Sequence, residues 1–378
     1  MQTKRYEIAF LTAGDARSTR AWSGTPYYMS MALTRNVGDV DYLGPVNPSL
    51  SSFLGKRFSS VSRKILGKEF DYDHSFLLSR AFGKIFDRKI SEEKYDVIFA
   101  PASSSIIAFL KTRIPIVYVS DTTFGNMVNY YPRFSRLLSI SIRQGNEIER
   151  RAITNSTLAL FPSEWAANSA IRDYGAKRTK VHVIPFGANI DPVPSRERIL
   201  QKRKTDKCRL LFLGRDWERK GGVVAYDAFL KMNRMGVDTH LTVCGCVPPS
   251  RFSHEKMNSF HFGSKNKEFE SLLLNSDFLI LPTKAECFGT VFCEASAYGI
   301  PSIATNTGGV SGAVKNGENG YLLPPNSGGD DYAKLITDIF QNDERYYRLV
   351  RQSRDLFDQR LNWDSWVMEV GALLGKLL

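Results

Sequence analysis

Short apolar runs alternate with stretches of helical periodicity along almost the whole chain. The strand-like runs are YEIAFLTA, YDVIFAP, IPIVYVS, LALFPS and KVHVIPFG in the first half, and CRLLFLG, HLTVCGC, FHFG, DFLILPT, PSIATN and GYLLPP in the second. Between them, segments such as GGVVAYDAFLKMNRMG repeat apolar residues at a spacing near that of a helix turn. This alternation predicts an α/β fold with two doubly wound domains, each a parallel sheet covered by helices.

The boundary between the two domains is predicted from a change in composition. The segment PVPSRERILQKRKTDKC is rich in proline, serine and charge and shows no apolar face, so it is interpreted as a linker. We therefore expect a first domain over residues 1–188 and a second over 189–361. Because ligands of doubly wound sheets bind at the carboxyl ends of the strands, functional residues are expected directly after strands, in a central cleft that the two domains face.

Composition restricts the class of protein. Of the 378 residues, 43% are hydrophobic and 24% are charged, which is typical of a globular protein. No apolar run is long enough to span a membrane, and the N-terminal apolar stretch is too short for a signal peptide. The five cysteines lack the C-x-x-C spacing of a zinc or redox site and are expected to be free. A cytoplasmic protein is therefore predicted.

The net charge of +12 is concentrated in the first half of the chain. Residues 1–190 hold 26 basic and 16 acidic side chains, and the remainder holds 25 and 23. Part of the excess lies in FLGKRFSSVSRKILGKEF, residues 53–70, where apolar residues recur at helical spacing among the cations. This segment is either a helix that packs its apolar face inward or one that lies on an anionic membrane. No nucleic-acid partner is predicted, because no recognisable binding module is present.

A first candidate site follows the strand in LLFLGRDWERKGG, residues 210–222. Arg215 and Lys220 come after this strand and before a helix that is expected to begin near Gly221 or Gly222. Two cations beside a helix N-terminus suit a diphosphate, although a solvated basic loop would have the same sequence. Neither a P-loop nor the usual dinucleotide-binding glycine pattern occurs in the chain.

A second candidate site is AECFGTVFCEASAYG, residues 285–299, which follows the apolar strand DFLILPT. Glu286 is expected in the loop and Glu294 in the early turns of a helix that begins near Gly289 or Thr290. The first amide groups of that helix can bind a phosphate or sugar oxygen, and a carboxylate can accept two hydrogen bonds from a vicinal diol. Taken alone, the two glutamates also fit an ordinary surface helix.

A third segment, IPSIATNTGGVSGAVKNGENGYLLPP, has the order strand, glycine turn, short helix, turn and strand. Together and in this order, the three segments and the closing LNWDSW resemble the C-terminal domain of the retaining glycosyltransferase family 4, which has the GT-B fold. The resemblance continues upstream through LALFPSEWAANSAIRDYGAKRTKVHVIPFGANID. It implies two Rossmann-like domains and a C-terminal helix, residues 362–378, that joins the first of them.

The resemblance also implies roles for individual residues. Arg215 and Lys220 would neutralise the diphosphate of a nucleotide-sugar donor, which leaves with added negative charge. Glu294 would bind the ribose hydroxyls and Glu286 the hydroxyls of the transferred sugar. The main-chain amides of Phe288, Gly289 and Thr290 would face the sugar or phosphate. Cations and a helix end would then replace a metal ion, so neither a metal nor another cofactor is expected.

In the first half, Gly24 and Asp121 are the candidates. Gly24, in WSGTP, resembles the family's glycine turn that approaches the donor diphosphate, and an ordinary turn before a helix is the alternative. Asp121 follows the strand in IPIVYVSDTTFGNM, where many members carry a histidine near the reacting sugar. It could hold a sugar hydroxyl, stabilise positive charge at the anomeric carbon, or cap the helix that follows.

The sequence therefore predicts a metal-independent, retaining enzyme that transfers a hexose-type sugar from a nucleotide-diphosphate sugar to a glycan or lipid-linked acceptor. Such an enzyme would build a surface polysaccharide or glycolipid, with peripheral contact to an anionic membrane at its inner face. Two alternatives stay open at this point. One is a GT-B nucleotide-sugar epimerase or a phosphorylase-like enzyme, and the other is a non-catalytic protein that binds membrane or nucleic acid through its basic half.

Overall fold

The computed structural model describes residues 5–260 and 267–378, except for the side chains of residues 49–52, 54, 56 and 267. The chain divides into two compact units, one formed by Met1–Pro185 with Trp366–Leu378 and the other by Phe186–Ser365. Each unit contains one parallel sheet. No helix of the described residues is long and apolar enough to cross a membrane.

The first unit is built on a six-stranded parallel sheet with helices in the connections. Its strands are β1 (Tyr6–Phe10), β2 (Gly38–Tyr42), β3 (Val97–Pro101), β4 (Ile116–Val119), β5 (Leu158–Phe161) and β6 (Val181–Val183). They lie in the order β2-β1-β3-β4-β5-β6. The helices of this part of the chain are α1 (Thr25–Asn36), α2 (Ser49–Leu66), α3 (Phe76–Lys89), α4 (Ser104–Ile107), α5 (Phe124–Met127), α6 (Ser139–Asn155) and α7 (Glu164–Arg172).

The second unit repeats this architecture with a different strand order, β12-β11-β10-β7-β8-β9. Its strands are β7 (Cys208–Leu213), β8 (Thr239–Cys244), β9 (Met257–Phe260), β10 (Phe278–Leu281), β11 (Ser302–Thr305) and β12 (Gly320–Leu323). The remaining helices are α8 (Arg196–Leu200), α9 (Gly222–Arg234), α10 (Lys267–Leu274), α11 (Thr290–Ala297), α12 (Val310–Ala313), α13 (Gly329–Phe340), α14 (Asp343–Arg360) and α15 (Trp363–Leu377).

The central strands explain why the apolar runs are the clearest signal in the sequence. Every residue of β3, β4, β10 and β11 is buried. Strands that are covered by helices on both faces have no solvent side, so their sequences are almost uniformly apolar. The prediction of an α/β fold with two doubly wound parallel sheets is confirmed.

Two details differ from the sequence-based expectation, and a third lies partly outside the described residues. β2 was not predicted, because its sequence GDVDY alternates charged residues, as an edge strand can. The supposed linker contains α8, whose Ile199 is buried, and its Lys202 donates a hydrogen bond to the carbonyl of Ser276. Finally, β9 ends at Phe260, so the last three residues of the predicted strand FHFG, and with them His261, lie outside the described residues.

Candidate active site

The strand order of the second unit reverses between β7 and β10. In a doubly wound sheet the connections on the two sides of such a point run in opposite directions, which leaves a crevice at the carboxyl ends of the two strands. The loop after β7 holds the first predicted motif and the loop after β10 holds the second. Segments that are far apart in the sequence are therefore neighbours in the fold.

An ion pair joins these two loops. The Lys220 ammonium donates a hydrogen bond to the Glu286 carboxylate, and both side chains are only 11% exposed. The aliphatic part of Lys220 runs over Gly214, where a Cβ atom would lie 2.9 Å from its Cγ. Glycine at this position therefore leaves room for the lysine at the end of β7. The pair places one positive and one negative charge, largely shielded from water, at the reversal point.

Main-chain hydrogen bonds hold the two loops together around this pair. The N–H of Lys284 donates to the carbonyl of Arg219 at 2.8 Å, and the Arg219 guanidinium donates to the carbonyl of Ala285 at 2.8 Å. The N–H of Gly309, in the loop after β11, donates to the carbonyl of Glu286 at 3.1 Å. All three predicted motifs thus meet, each at the carboxyl end of its strand.

The start of α9 requires a glycine. Gly221 precedes the helix with a φ of +79°, and a Cβ at this position would lie 1.9 Å from the carbonyl oxygen of Pro282. The loop after β10 therefore passes directly over the N-terminus of α9. A side chain at Gly221 would push these segments apart, which explains the glycine in the first motif.

The predicted start of α11 is also confirmed, since the helix begins at Thr290 after Gly289, which has a φ of +86°. The Phe288 ring is buried against Phe186, with 5.5 Å between ring centroids. We find no acceptor for the main-chain N–H groups of residues 288–290 in the described part of the chain. Glu294 lies within the helix and is 3% exposed.

Arg215, unlike Lys220, is exposed in the loop after β7. It forms no ion pair or side-chain hydrogen bond with the described residues. A long cation in this position can reach a ligand at the carboxyl end of the sheet without breaking an existing contact. The prediction that Arg215 binds a diphosphate stays a prediction.

In the first unit, Trp22, two residues before Gly24, contacts Asp121. Gly24 precedes α1 with a φ of +86°, and Trp22 and Ser23 before it have φ values of +45° and +58°. The Trp22 indole N–H donates to the Asp121 carboxylate at 3.2 Å. The alternative that Asp121 caps the following helix is wrong, because Thr123 is the N-cap of α5.

Sequence reasoning missed several residues that shape these sites. Trp22 was not singled out, although its position directly before SGTP was a usable signal. Arg219 was passed over between the two selected cations, yet it makes the contacts that fix the loop after β10. Thr283, whose hydroxyl donates to the carbonyl of Ala285 at 3.1 Å, carried no signal beyond following a strand.

Comparison with known families assigns both halves of the chain. Residues 27–192 match the model described as Glycosyltransferase Family 4, and residues 195–356 match Glycosyl transferases group 1. Two parallel doubly wound sheets with these domains define a glycosyltransferase of the GT-B fold. The chain belongs to glycosyltransferase family 4.

Curated relatives are distant. A D-inositol 3-phosphate glycosyltransferase from Paenarthrobacter aurescens is 27% identical over 53% of this chain and 53% of its own length. An uncharacterized 41.2 kDa protein in the cps region of Klebsiella pneumoniae is 26% identical over 72% of this chain and 70% of its own length. This chain spans about half the length of the inositol phosphate glycosyltransferases that it matches.

Solved structures support the fold over nearly the whole chain. Sucrose-phosphate synthase from Thermosynechococcus elongatus superposes with a TM-score of 0.70 and 17% identity, and covers 99% of both chains. Anabaena Alr3699/HepE, in complex with UDP and glucose, superposes with a TM-score of 0.66 and 16% identity, over 98% of this chain and 100% of its own. At such identities the likeness concerns the fold alone.

Proposed function

We propose that this glycosyltransferase is a retaining enzyme that moves a hexose-type sugar from a nucleotide-diphosphate sugar to a glycan or lipid-linked acceptor. The observation that carries the proposal is the buried Lys220–Glu286 pair at the strand-order reversal of the second unit. A charge pair in this position can be opened by a ligand that brings its own anion and its own hydroxyl groups. A sugar diphosphate supplies both.

The positive charges of the site would stabilise the leaving group. Lys220 would transfer its hydrogen bond from Glu286 to a diphosphate oxygen, and Arg215 would approach from the exposed side of the loop. The N–H groups of residues 288–290 would donate to a phosphate or sugar oxygen at the positive end of α11. Charge that develops on the diphosphate as the sugar leaves would thus meet fixed donors, which is the main electrostatic requirement of such a transfer.

The carboxylates would then recognise hydroxyl groups. Once Lys220 has turned to the phosphate, the Glu286 carboxylate can accept hydrogen bonds from hydroxyl groups of the transferred sugar. Glu294 would bind the ribose diol. From the first unit, Gly24 would let the main chain approach the donor, and Asp121 would act near the anomeric carbon.

The proposed stereochemical course follows from the same groups. The leaving diphosphate would accept the proton of the acceptor hydroxyl on the face from which it departs, so that the anomeric configuration is retained. We propose that this reaction needs no metal ion, because side-chain cations and main-chain amides carry the neutralising role. The transfer forms one glycosidic bond, breaks the bond from sugar to phosphate, and passes one proton to the diphosphate.

The relatives support the classes of donor and acceptor. Alr3699/HepE has been solved in complexes with UDP, with UDP and glucose, and with UDP-glucose. A lipopolysaccharide outer core galactosyltransferase, WaaB, superposes with a TM-score of 0.64. These names, together with the protein of the cps region, favour a nucleotide-sugar donor and a surface-glycan acceptor for the present chain.

Calorimetric titration of the full chain with UDP, GDP, ADP and dTDP tests donor binding. We expect one of these nucleotides to bind with EDTA present, and Glu294→Gln to weaken it by about ten-fold or more through loss of the charged diol contact. Glu318→Gln, at an exposed glutamate of the same unit, is the matched control and should bind normally. Equal binding by both variants would contradict the assigned ribose contact, and abolition by EDTA would contradict metal independence.

The stereochemical course is tested separately. With the matching nucleotide sugar, NMR of the first product formed should show the anomeric configuration of the donor. An inverted product would refute the retaining mechanism while leaving the donor site intact.

A further inference from the structure

Helix α2 packs on the rest of the first unit through small residues, whereas large apolar side chains of the same helix are exposed. Among the positions of α2 whose side chains the structure describes, the buried ones are Gly55, Ser59 and Ser62, at spacings of four and three residues. A Cβ at Gly55 would lie 2.6 Å from the Cβ of Tyr72, so the helix backbone approaches the domain closely there. The described part of the inner face of α2 therefore consists of small residues.

Large apolar side chains occupy the outer face. Phe58, Val61 and Ile65, again at spacings of three and four residues, are 52%, 45% and 74% exposed. Phe53 and Leu66 lie on other sides of the helix and are 59% and 61% exposed. A helix that only completed the fold would turn these residues inward. A contiguous apolar surface of this kind indicates a binding surface.

Four exposed cations lie in and just after α2, and none of them has a partner among the described residues. Arg57, Arg63, Lys64 and Lys68 are exposed and form no ion pair or side-chain hydrogen bond with the described residues. The sequence of α2 contains no acidic residue. On α6, by contrast, Arg150 and Arg151 both pair with Glu147. The charge around α2 is thus available to an external anion.

We propose that the outer face of α2 docks on the surface of a lipid bilayer that contains anionic headgroups. The apolar side chains would enter the boundary between headgroups and acyl chains, while the flanking cations would bind the headgroup phosphates. Eighteen residues give the helix a length of roughly 27 Å, enough for several lipids along its axis. The contact is peripheral and does not depend on the reaction proposed above.

Other partners fit this surface less well. A second copy of the chain, joined through the same face around a two-fold axis, would bring two sets of unpaired cations together. A nucleic acid would satisfy the cations but would leave Phe58, Val61 and Ile65 in water. Of these partners, only a bilayer, with anionic headgroups over an apolar interior, satisfies both the exposed cations and the exposed apolar side chains of α2.

Flotation of the full chain with lipid vesicles tests the proposal. We expect binding to vesicles of equal parts phosphatidylcholine and phosphatidylglycerol, and much weaker binding to phosphatidylcholine alone. Phe58→Ser with Ile65→Ser should lower the partition coefficient by about ten-fold or more, since two apolar side chains no longer enter the lipid. Arg57→Gln with Lys64→Gln should lower it by about 25-fold, because each cation contributes roughly a factor of five.

Matched controls separate this effect from general surface changes. Met368→Ser removes an apolar side chain that is 68% exposed on α15, and Arg348→Gln with Arg351→Gln removes two exposed cations of α14. Both controls should bind vesicles as the unaltered chain does. All these positions are exposed, so circular dichroism should stay unchanged. The Phe58→Ser variant loses a ring contact with Phe70, 5.0 Å between centroids, so its melting temperature is measured to show that it is folded at the temperature of the flotation.

Several outcomes would overturn the proposal. Equal flotation with neutral and anionic vesicles would remove the role of the cations, and equal loss in the α14 control would show only non-specific charge attraction. RNA binding without vesicle binding would assign the face to a nucleic acid. Dimerisation in light scattering that is lost in Phe58→Ser with Ile65→Ser, without vesicle binding, would assign it to a second copy.

Discussion

The strand-order reversals of the two units are built differently. In the second unit, three loops at the ends of β7, β10 and β11 are held by main-chain hydrogen bonds and by one buried ion pair. In the first unit, where the order reverses between β1 and β3, the loop after β1 reaches across to Asp121 after β4 through the side chain of Trp22. The site of the second unit is therefore held mainly by main-chain contacts, and that of the first unit by a contact between side chains.

This difference indicates which residue positions of each site can be substituted. In the second unit, the loop after β10 leaves no room for a side chain at Gly221, and the buried ion pair requires opposite charges at positions 220 and 286. A site defined by single side chains can accept other side chains at the same positions. Under the function proposed above, the second unit would bind the donor and the first unit would bind the acceptor.

The largest effect is expected from opening the buried ion pair. Lys220→Met leaves the Glu286 carboxylate buried without its cation, which should destabilise the protein by about 3–5 kcal/mol and abolish nucleotide binding. Lys284→Met is the matched control, because Lys284 is exposed on the neighbouring loop and its side chain forms no hydrogen bond with the described residues. Urea unfolding of both variants provides the measurement. Similar free energies of unfolding would show that the pair is not a determinant of this site.

The second test concerns the close approach of the two loops. Gly221→Ala combines a positive φ with a Cβ placed 1.9 Å from the Pro282 carbonyl, whereas Gly236→Ala has a φ of +84° and no atom within 4 Å. Both lose about 1 kcal/mol from backbone strain, and only Gly221→Ala should lose about 2 kcal/mol more and weaken nucleotide binding. Thermal unfolding with and without the nucleotide distinguishes them. Equal destabilisation of the two variants would mean that the two loops can move apart at Gly221 without a further cost in free energy.

The sequence predicted the second unit in detail because its determinants are local. Strands β7, β10 and β11 are apolar runs, and Gly221, Gly289 and Gly309 stand at turns that follow them. Periodicity could therefore locate each loop, and the strand order then brought the loops together. The pairing of Lys220 with Glu286 could not be predicted, because these residues are 66 positions apart in the sequence and meet only through the order of the strands.

The first unit was less predictable for a physical reason. The contact of Trp22 with Asp121 depends on a left-handed turn formed by non-glycine residues, which no propensity indicates. The outward-facing apolar stripe of α2 was also ambiguous, because periodicity shows that a helix has two faces but not which face packs inward. The structure decides this through the buried serines and glycine.

The third test is the pH dependence of stability, which is expected to have opposite directions in the two units. Glu149, on α6, is 2% exposed and accepts a hydrogen bond from the Tyr118 hydroxyl at 2.9 Å. Burial raises its pKa from the usual 4.5 to about 7, an effect that the hydrogen bond and the charge of His74 partly offset. Burial lowers the pKa of His74, but the hydrogen bond to Asp71 and the charges of Asp71, Glu149 and Asp73 together outweigh burial, so this pKa is raised. Both groups bind protons more tightly in the folded state.

The folded state should therefore lose stability as the pH rises from about 4.5 to about 7. Glu149→Gln keeps an acceptor for Tyr118 without the charge, so it should raise the free energy of unfolding above pH 7 by on the order of 2 kcal/mol. Glu147→Gln, on the same helix but partly exposed, should show no such gain. In the second unit, burial lowers the pKa of Lys202 to about 8, which predicts the opposite slope at alkaline pH. Denaturation of Glu149→Gln that keeps the full pH dependence would contradict this assignment.

The smallest effect is expected from the hydrogen bond between Trp22 and Asp121, which joins two loops of the first unit. Trp22→Phe keeps an aromatic ring but removes the N–H that donates to Asp121. The free energy that holds the Asp121 carboxylate in position should therefore fall by about 1 kcal/mol. Turnover should fall about five-fold while nucleotide affinity, which we assign to the second unit, stays unchanged. Trp165→Phe is the matched control, because its half-buried ring lies against Tyr130 and its indole N–H donates to no described residue. In an Asp121→Ala background, Trp22→Phe should have no further effect on turnover. A five-fold loss that persists there would show that Trp22 acts on the substrate directly, and the first unit would then have a second contact residue where we assign a positioning one.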